Sequence, residues 1–336
     1  MEYRFLGKSG LKVSELDLGT QTFGWGADEK TAHAMLDRFV DAGGNIIDSA
    51  NIYNQGQSEQ YLGSWLKKSP IRDQLIVCTK VFFPSGQGPN DTGLTRKHIF
   101  NEIDRSLRRL NTDYVDLYQL HCFDSSTPLE ETLSALSTLV DRGKVRYIGA
   151  SNFTPSQLEK ALMISRMQGF QSFASLQPEY SMIVRSTEWE LLPLCREEGL
   201  GLLPWSPLAG GWLTGKYRRH QPPPPDSRVY RKDRWDDQPE QRASELTWRV
   251  IDALLELSGR HGKTPAQIAL NWLLRQPGVT CPIIGARTME QLEENLGSTG
   301  WELNEEELRK LNQASAIELP YPYSFVQRYT RRRVQM

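Results

Sequence analysis

The chain has 336 residues, 40 Lys and Arg against 41 Asp and Glu, a formal net charge of -1 and 38% hydrophobic residues. This near-neutral balance gives no electrostatic case for nucleic acid or an anionic membrane as partner, and no apolar run approaches the roughly 20 residues a membrane span needs. The length suits one large α/β domain or two smaller ones.

The first residues, MEYRFLGKSG, carry no apolar signal stretch. Cys78, Cys122, Cys195 and Cys281 stand far apart with no CxxC pair, which argues against a zinc or disulfide framework and for a reduced, cytoplasmic setting without a bound metal. Residues 3–14 alternate apolar and polar around Lys8-Ser9-Gly10 and predict a β-hairpin. Residues 15–19 (ELDLG) form a short strand. Residues 29–41 place Ala32, Met35, Leu36, Phe39 and Val40 at helical spacing, closed by Gly43 and Gly44. A strand over 45–48 ends in Asp48, Tyr53 follows in the loop, and a helix runs over 58–68.

Residues 75–80 (LIVCTK) are an apolar strand closed by Lys80. Thr95 caps a helix through Leu110, and residues 114–121 (YVDLYQLH) are a strand ending in His121. Helices over 128–141, 154–167 and 187–198 then alternate with strands over 145–151, 172–177 and 201–205. Residues 217–242 interrupt the pattern with charge and four prolines, Pro222 to Pro225, and read as a lid-like loop. Helices over 245–260 and 265–275, an eighth strand over 280–285, and helices over 289–296 and 305–314 follow. Residues 318–336 are a tail, its arginines (Arg331, Arg332, Arg333) read as a solvated terminus.

Eight strands alternating with helices, with no second compositional regime, predict one (β/α)8 TIM barrel over 1–336, with an N-terminal hairpin and extra C-terminal helices. A doubly wound sheet is the rival, but no GxGxxG follows the first strand.

Barrel chemistry sits at the carboxyl ends of strands. Asp48 with Tyr53, Lys80 and His121 fall at or near three successive strand ends, and neighbouring strands lie only about 4.8 Å apart. A phenol has a pKa of about 10, and an adjacent ammonium favours the phenolate. The unit reads as a proton-transfer device: Tyr53 the acid, Lys80 its tuner, Asp48 the orienting partner and His121 a substrate-orienting donor. A strand-end lysine also allows Schiff-base chemistry, but that leaves two nucleotide-like stretches unexplained. WSPLAGGWLTGK (205–216) offers glycines for close backbone approach, with Ser206 and Lys216 for phosphate. IIGARTMEQLEEN, beginning at Ile283, enters a helix after strand eight, where this barrel type holds phosphate.

DSANIYNQGQSE (48–59), Lys80, QLHCFD (119–124), GKVRYIGASNF (143–153), WSPLAGG (205–211) and residues 285–295 together resemble the aldo-keto reductase family, in the branch with potassium-channel β-subunits and many bacterial reductases. The resemblance implies a barrel that binds NADP(H) in extended form without a Rossmann fold, and a tetrad of Asp48, Tyr53, Lys80 and His121 that reduces a small carbonyl substrate. By motif position it implies that Ser151, Asn152 and Gln177 hold the nicotinamide carboxamide and that Trp205 stacks on the ring. Ser206, Pro207, Leu208, Gly210 and Lys216 would line the pyrophosphate. Arg228 and Arg287 would face the 2'-phosphate and adenine; Gly285, Gln291, Glu294 and Asn295 would hold the adenosine end; Thr20 and Asp48 complete the cofactor set. The chain departs from many relatives in carrying Asn54, not glycine, after the tyrosine, and Arg287 in place of a small hydroxyl residue. Trp25, Phe82, Phe83 and Trp212 are the expected pocket walls. The channel-subunit branch adds a second reading, a redox-sensing regulatory subunit. Nothing in the sequence selects a monomer over a homo-oligomer.

Overall fold

The computed structural model describes residues 1–225, 227, 230 and 242–334. An antiparallel hairpin, β1 (Tyr3–Phe5) and β2 (Lys12–Ser14), precedes eight parallel strands. These are β3 (Asp17–Gly19), β4 (Ile46–Asp48), β5 (Ile76–Val81), β6 (Val115–Leu120), β7 (Val145–Ser151), β8 (Ser175–Gln177), β9 (Gly201–Leu202) and β10 (Ile283–Ile284). Each pairs in parallel with the next, and β10 returns to β3. On its other side the segment leading into β10 meets β9: Thr280 N donates to Leu202 O at 2.9 Å and Ile283 N to Pro204 O at 2.9 Å. The sheet therefore closes into a barrel.

The helices are α1 (Glu29–Asp41), α2 (Gln57–Leu66), α3 (Arg96–Leu110), α4 (Leu129–Asp141), α5 (Pro155–Gln168), α6 (Leu191–Glu198), α7 (Glu245–His261), α8 (Pro265–Leu274), α9 (Met289–Leu296), α10 (Glu305–Ala314) and α11 (Tyr323–Val334). Local chemistry sets several ends. Thr154 before Pro155 and Thr264 before Pro265 each form a reciprocal capping box with the glutamine three residues on. In α3, Ile99, Ile103, Leu107 and Leu110 are buried, each such side chain stabilising by roughly 1.5–3 kcal/mol. Among the described residues no helix is long and apolar enough to cross a membrane.

Strand periodicity sorts the core into two clusters. Ile47, Val77, Tyr118, Leu120, Ile148 and Leu176 point outward and pack beneath the helices. Ile46, Ile76, Cys78, Leu117, Leu203, Cys281 and Ile283 point inward and fill the lower barrel, where Leu6 and Val13 of the hairpin join them. The hairpin is thus the floor. One inward step higher, apolar residues give way to Asp48, Lys80, Gln119 and Gln177, all buried.

Several expectations shift at their edges. The seventh and eighth strands are shorter than 201–205 and 280–285, because residues after Leu202 and before Ile283 bond neighbours singly and not as ladders. The helix expected over 187–198 breaks into a single 3₁₀ turn, Ser186–Glu188, and α6, which carries Pro193 in its first turn. The tail is not featureless: α11 occupies much of it, and Tyr323 packs on Trp189 with ring centroids 5.8 Å apart. Phe325 and Tyr329, four residues apart, are its helical signal in the sequence. Of the 217–242 lid, only residues 217–225, 227, 230 and 242 are described.

Candidate active site

Asp48 closes β4 and Lys80 lies one strand over on β5, both inward and both fully buried. The Lys80 ammonium forms an ion pair with Asp48 and also donates to Ser49 O at 2.9 Å and to the Tyr53 hydroxyl at 3.3 Å. Burial works against the lysine charge, but Asp48 and then Tyr53 outweigh it, and the ammonium is held above its usual value. A Schiff-base lysine needs the reverse, a depressed pKa that frees its lone pair. Lys80 is built as a fixed charge.

The other Asp48 oxygen, Oδ2, accepts from Gln119 Nε2 at 3.1 Å and Gln177 Nε2 at 3.0 Å. Every partner that a buried carboxylate requires is therefore a side chain of an adjacent or facing strand. Gln119 escaped the sequence reading, although it sits two residues before His121 on the same strand; counting inward positions by twos identifies it.

Tyr53 begins a 3₁₀ turn, Tyr53–Gly56, after β4. An adjacent ammonium alone would lower the phenol; the net direction is the opposite. Burial is the largest effect and raises the Tyr53 pKa, with Asp48 adding to the rise, while Lys80 recovers only part of it. The phenol therefore stays protonated across the neutral range.

His121 follows β6. Its ring meets Tyr53 edge-on at 5.8 Å and Phe83 edge-on at 4.9 Å. Burial and then the Lys80 charge push its pKa well below the ordinary histidine value, so the imidazole is neutral. Beneath the tyrosine turn, buried Glu59 accepts from Thr79 Oγ1 at 2.6 Å and from Arg109 Nε at 2.6 Å, and Arg109 also reaches Glu102 at 2.7 Å. A Cβ at Gly56, whose φ is +86°, would lie 2.8 Å from the Arg109 chain, so the turn rests directly on this ion network.

The network continues around the mouth. Ser151 Oγ donates to Gln177 O at 2.7 Å, Asn152 Nδ2 donates to His121 O at 2.8 Å, and Trp205 Nε1 donates to Asn152 Oδ1 at 3.2 Å. Asp48, Tyr53, Lys80, His121, Ser151, Asn152, Gln177 and Trp205 thus form one connected rim. Thr20 is buried below it, its hydroxyl donating to Asp48 O at 3.0 Å and accepting from Ser58 at 2.7 Å.

Beyond Trp205, Ser206 takes a positive φ of 52°, Pro207 is buried, and Leu208 leads into the 3₁₀ segment Ala209–Thr214. A Cβ at Gly211 would lie 2.7 Å from the Lys216 ammonium, so the cation sits directly over glycine backbone. On the opposite side, Thr288 caps α9. Gln291 accepts from Arg287 N at 2.8 Å and Asn295 donates to Gly285 O at 3.1 Å. Gly285 faces open space, where an added Cβ would meet nothing, and Glu294 is half-buried on the same helix. Arg228 lies outside the described residues.

Of the expected pocket walls, Phe83 touches His121, Phe82 stacks edge-on against Phe83 at 5.2 Å, and Trp25 is half-buried. Trp212 is core instead. It is buried, stacks on Tyr217 at 4.5 Å and meets Trp248 of α7 at 5.8 Å.

The model of the aldo/keto reductase family matches residues 15–316. Uncharacterized oxidoreductase YrpG of Bacillus subtilis (strain 168) is 40% identical over 321 residues, which cover 93% of this chain and 95% of that protein. A probable voltage-gated potassium channel subunit beta of Oryza sativa subsp. japonica is 38% identical, covering 88% and 90%. Versiconal hemiacetal acetate reductase of Aspergillus parasiticus is 33% identical, covering 96% and 99%. The match spans every strand of the barrel and both stretches around its mouth, and the chain belongs to the aldo/keto reductase family.

Proposed function

We propose that the protein is an NADPH-dependent reductase of aldehydes or ketones, working in a reduced cytoplasm as one barrel unit under the 217–242 lid. The observation that carries this reading is the relay from buried Asp48 and Lys80 to the half-buried Tyr53, beside a neutral His121. NADPH, when bound, supplies the hydride. Tyr53 supplies the proton to the carbonyl oxygen, from a phenol that burial keeps protonated. Lys80 stabilises the phenolate left behind, and Asp48 holds the ammonium charged and aimed. His121 orients the carbonyl, and Phe82, Phe83 and Trp25 shape the apolar side of the pocket.

The cofactor reading rests on the rim. Ser151, Asn152 and Gln177 would take the carboxamide, and Trp205 the ring. Lys216 over Gly211, with Ser206, Pro207, Leu208 and Gly210, fits a pyrophosphate. Arg287 and Arg228 would take the 2'-phosphate, while Gly285 and Gln291 near the α9 N-terminus, with Glu294 and Asn295 in its last turn, would take the adenosine.

The test is a tryptophan-quenching titration with NADPH and NADH, then oxidation of NADPH by 4-nitrobenzaldehyde. Tyr53→Phe should lower kcat by about 10²- to 10⁴-fold and leave NADPH affinity unchanged. Turnover equal to that of the parent protein would overturn the assignment. Similarity to a probable channel β-subunit supports a second reading, a regulatory subunit that holds NADP(H). Tight NADPH binding without turnover on an aldehyde panel, together with a stable larger assembly, would put that reading first.

A further inference from the structure

The residue after the catalytic tyrosine is Asn54, with φ 48° and ψ 46°; Gln55 (φ 56°, ψ 37°) and Gly56 (φ 86°) follow. Three successive left-handed residues are costly for side-chain-bearing positions. Asparagine tolerates the region, but glycine does so without strain. Asn54 is thus a residue held where glycine would be easier, and its side chain explains what it does there. Asn54 Nδ2 donates to Phe23 O at 2.5 Å and to Gln21 O at 3.1 Å. The Trp25 indole donates to that same Gln21 carbonyl at 3.0 Å.

Both carbonyls belong to the 20–27 loop after β3. The far side of that loop rests on the segment entering α9: Thr22 Oγ1 donates to Ala286 O at 2.5 Å, and a Cβ at Gly26 would lie 2.7 Å from the Arg287 side chain. The near side also meets the tyrosine turn through Ser58, which donates to Thr20 O at 2.9 Å, and through Gln57, packed on Gly24. The loop is therefore a bridge, with residues 285–287 at one end and the Tyr53 turn at the other.

We propose that Asn54 is a positioning residue: its amide clamps the Tyr53 turn to the 20–27 loop, so that cofactor bound against residues 285–287 fixes the phenol in place. This rests on the reductase reading above. Its effect on the chemistry passes through Gln21 and Phe23, whose carbonyls it holds, and through Trp25, which shares the Gln21 carbonyl.

Asn54→Gly keeps the backbone conformation and deletes both donations. Asn54→Asp keeps a side chain that tolerates positive φ but turns a carboxylate toward two carbonyls. If Asn54 only fills a backbone position, Asn54→Gly is silent or stabilising. If it is a clamp, Asn54→Gly lowers kcat with NADPH and 4-nitrobenzaldehyde about tenfold, the scale of a sub-ångström misplacement. KM for the aldehyde then changes by less than about threefold, and Asn54→Asp falls further. Amide hydrogen exchange supplies a readout independent of turnover. In protein without ligand, Asn54→Gly should speed exchange across 21–27 and 53–57, and NADPH should protect 53–57 in the parent protein but not in the variant. An inactive parent protein would sink the reductase reading, and the exchange comparison would still decide the clamp. Parent-like exchange and parent-like kcat in Asn54→Gly would overturn it.

Discussion

Two carboxyl groups lie inside the same barrel, one at its mouth and one toward its floor, and their surroundings differ in every respect but burial. Asp48 has the Lys80 ammonium on one oxygen and two glutamine amides on the other. Asp17, on β3, is equally buried, yet no side chain donates to either of its carboxyl oxygens. Its strand pairs Gly19 with Asp48, so Asp17 sits one inward step below that level. Burial pushes the Asp17 pKa well above the usual carboxylate range, and the Asp48 charge adds to the rise. Cys78 and Cys281, also inward, feel the same surroundings: burial and then Asp17 push both thiols well up. What separates a paired carboxylate from an unpaired one in the same barrel is the set of side chains aimed at it.

The comparison breaks most sharply when Asp48 is made to resemble Asp17. Lys80→Met removes the counter-charge while keeping an unbranched side chain of similar length. Breaking a buried pair from one side leaves an uncompensated charge and costs about 3–5 kcal/mol, which urea denaturation should read directly. Reductase turnover should fall by about 10²- to 10⁴-fold at the same time, because the phenolate loses its stabilising cation. A variant as stable and as active as the parent protein would show that Asp48 needs no cation.

This contrast also marks how far the sequence could be read. The barrel, the order of its strands and the groups that close three of them were legible, because short apolar runs closed by Asp48, Lys80 and His121 are local signals. The direction of the Tyr53 pKa was not: charge pairing is visible in a motif, but desolvation depends on what the fold stacks above and below. Trp212 reads from sequence as a pocket wall or as ordinary core, and the packing of Tyr217 and Trp248 makes it core. Asp17, in ELDLG, looks like an ordinary strand aspartate. Its inward direction follows from the strand register, but its lack of side-chain partners follows only from the completed interior.

Asp17 sharpens the comparison from the other side. Its pKa is raised in the folded state, so the folded protein keeps a proton that the unfolded chain releases above about pH 3.9. Below that pH both states are protonated and the group is neutral toward stability. As pH rises toward the folded-state pKa, the unfolded state binds fewer protons than the folded one, and stability falls by up to about 1.4 kcal/mol per unit. Asp17→Asn cannot ionise and removes this slope. The variant should match the parent protein near pH 4 and exceed it increasingly as pH rises, until the difference levels off at the folded-state pKa, as measured by urea midpoints at a series of pH values. Parallel profiles would mean that Asp17 holds a charge in the fold after all.

The finest test trims the Asp48 partner set by one member. Gln119→Leu removes a single amide from Oδ2 and leaves Gln177, at 3.0 Å, in place. A hydrogen bond to a charged group contributes about 1.5–3 kcal/mol. The loss should fall at the lower end, since Gln177 also lies 3.4 Å from Gln119 Oε1 and turns wholly to Asp48 once that acceptor is gone. Gln177→Leu should cost more, because the Gln177 amide donates both to Asp48 Oδ2 at 3.0 Å and to Gln119 Oε1 at 3.4 Å, and its loss leaves that second acceptor unpartnered as well. The double variant then reads the coupling: a combined loss greater than the sum of the singles means the two amides substitute for one another. Strict additivity would make them independent props, and the mouth of the barrel would be a set of separate bonds and not a network.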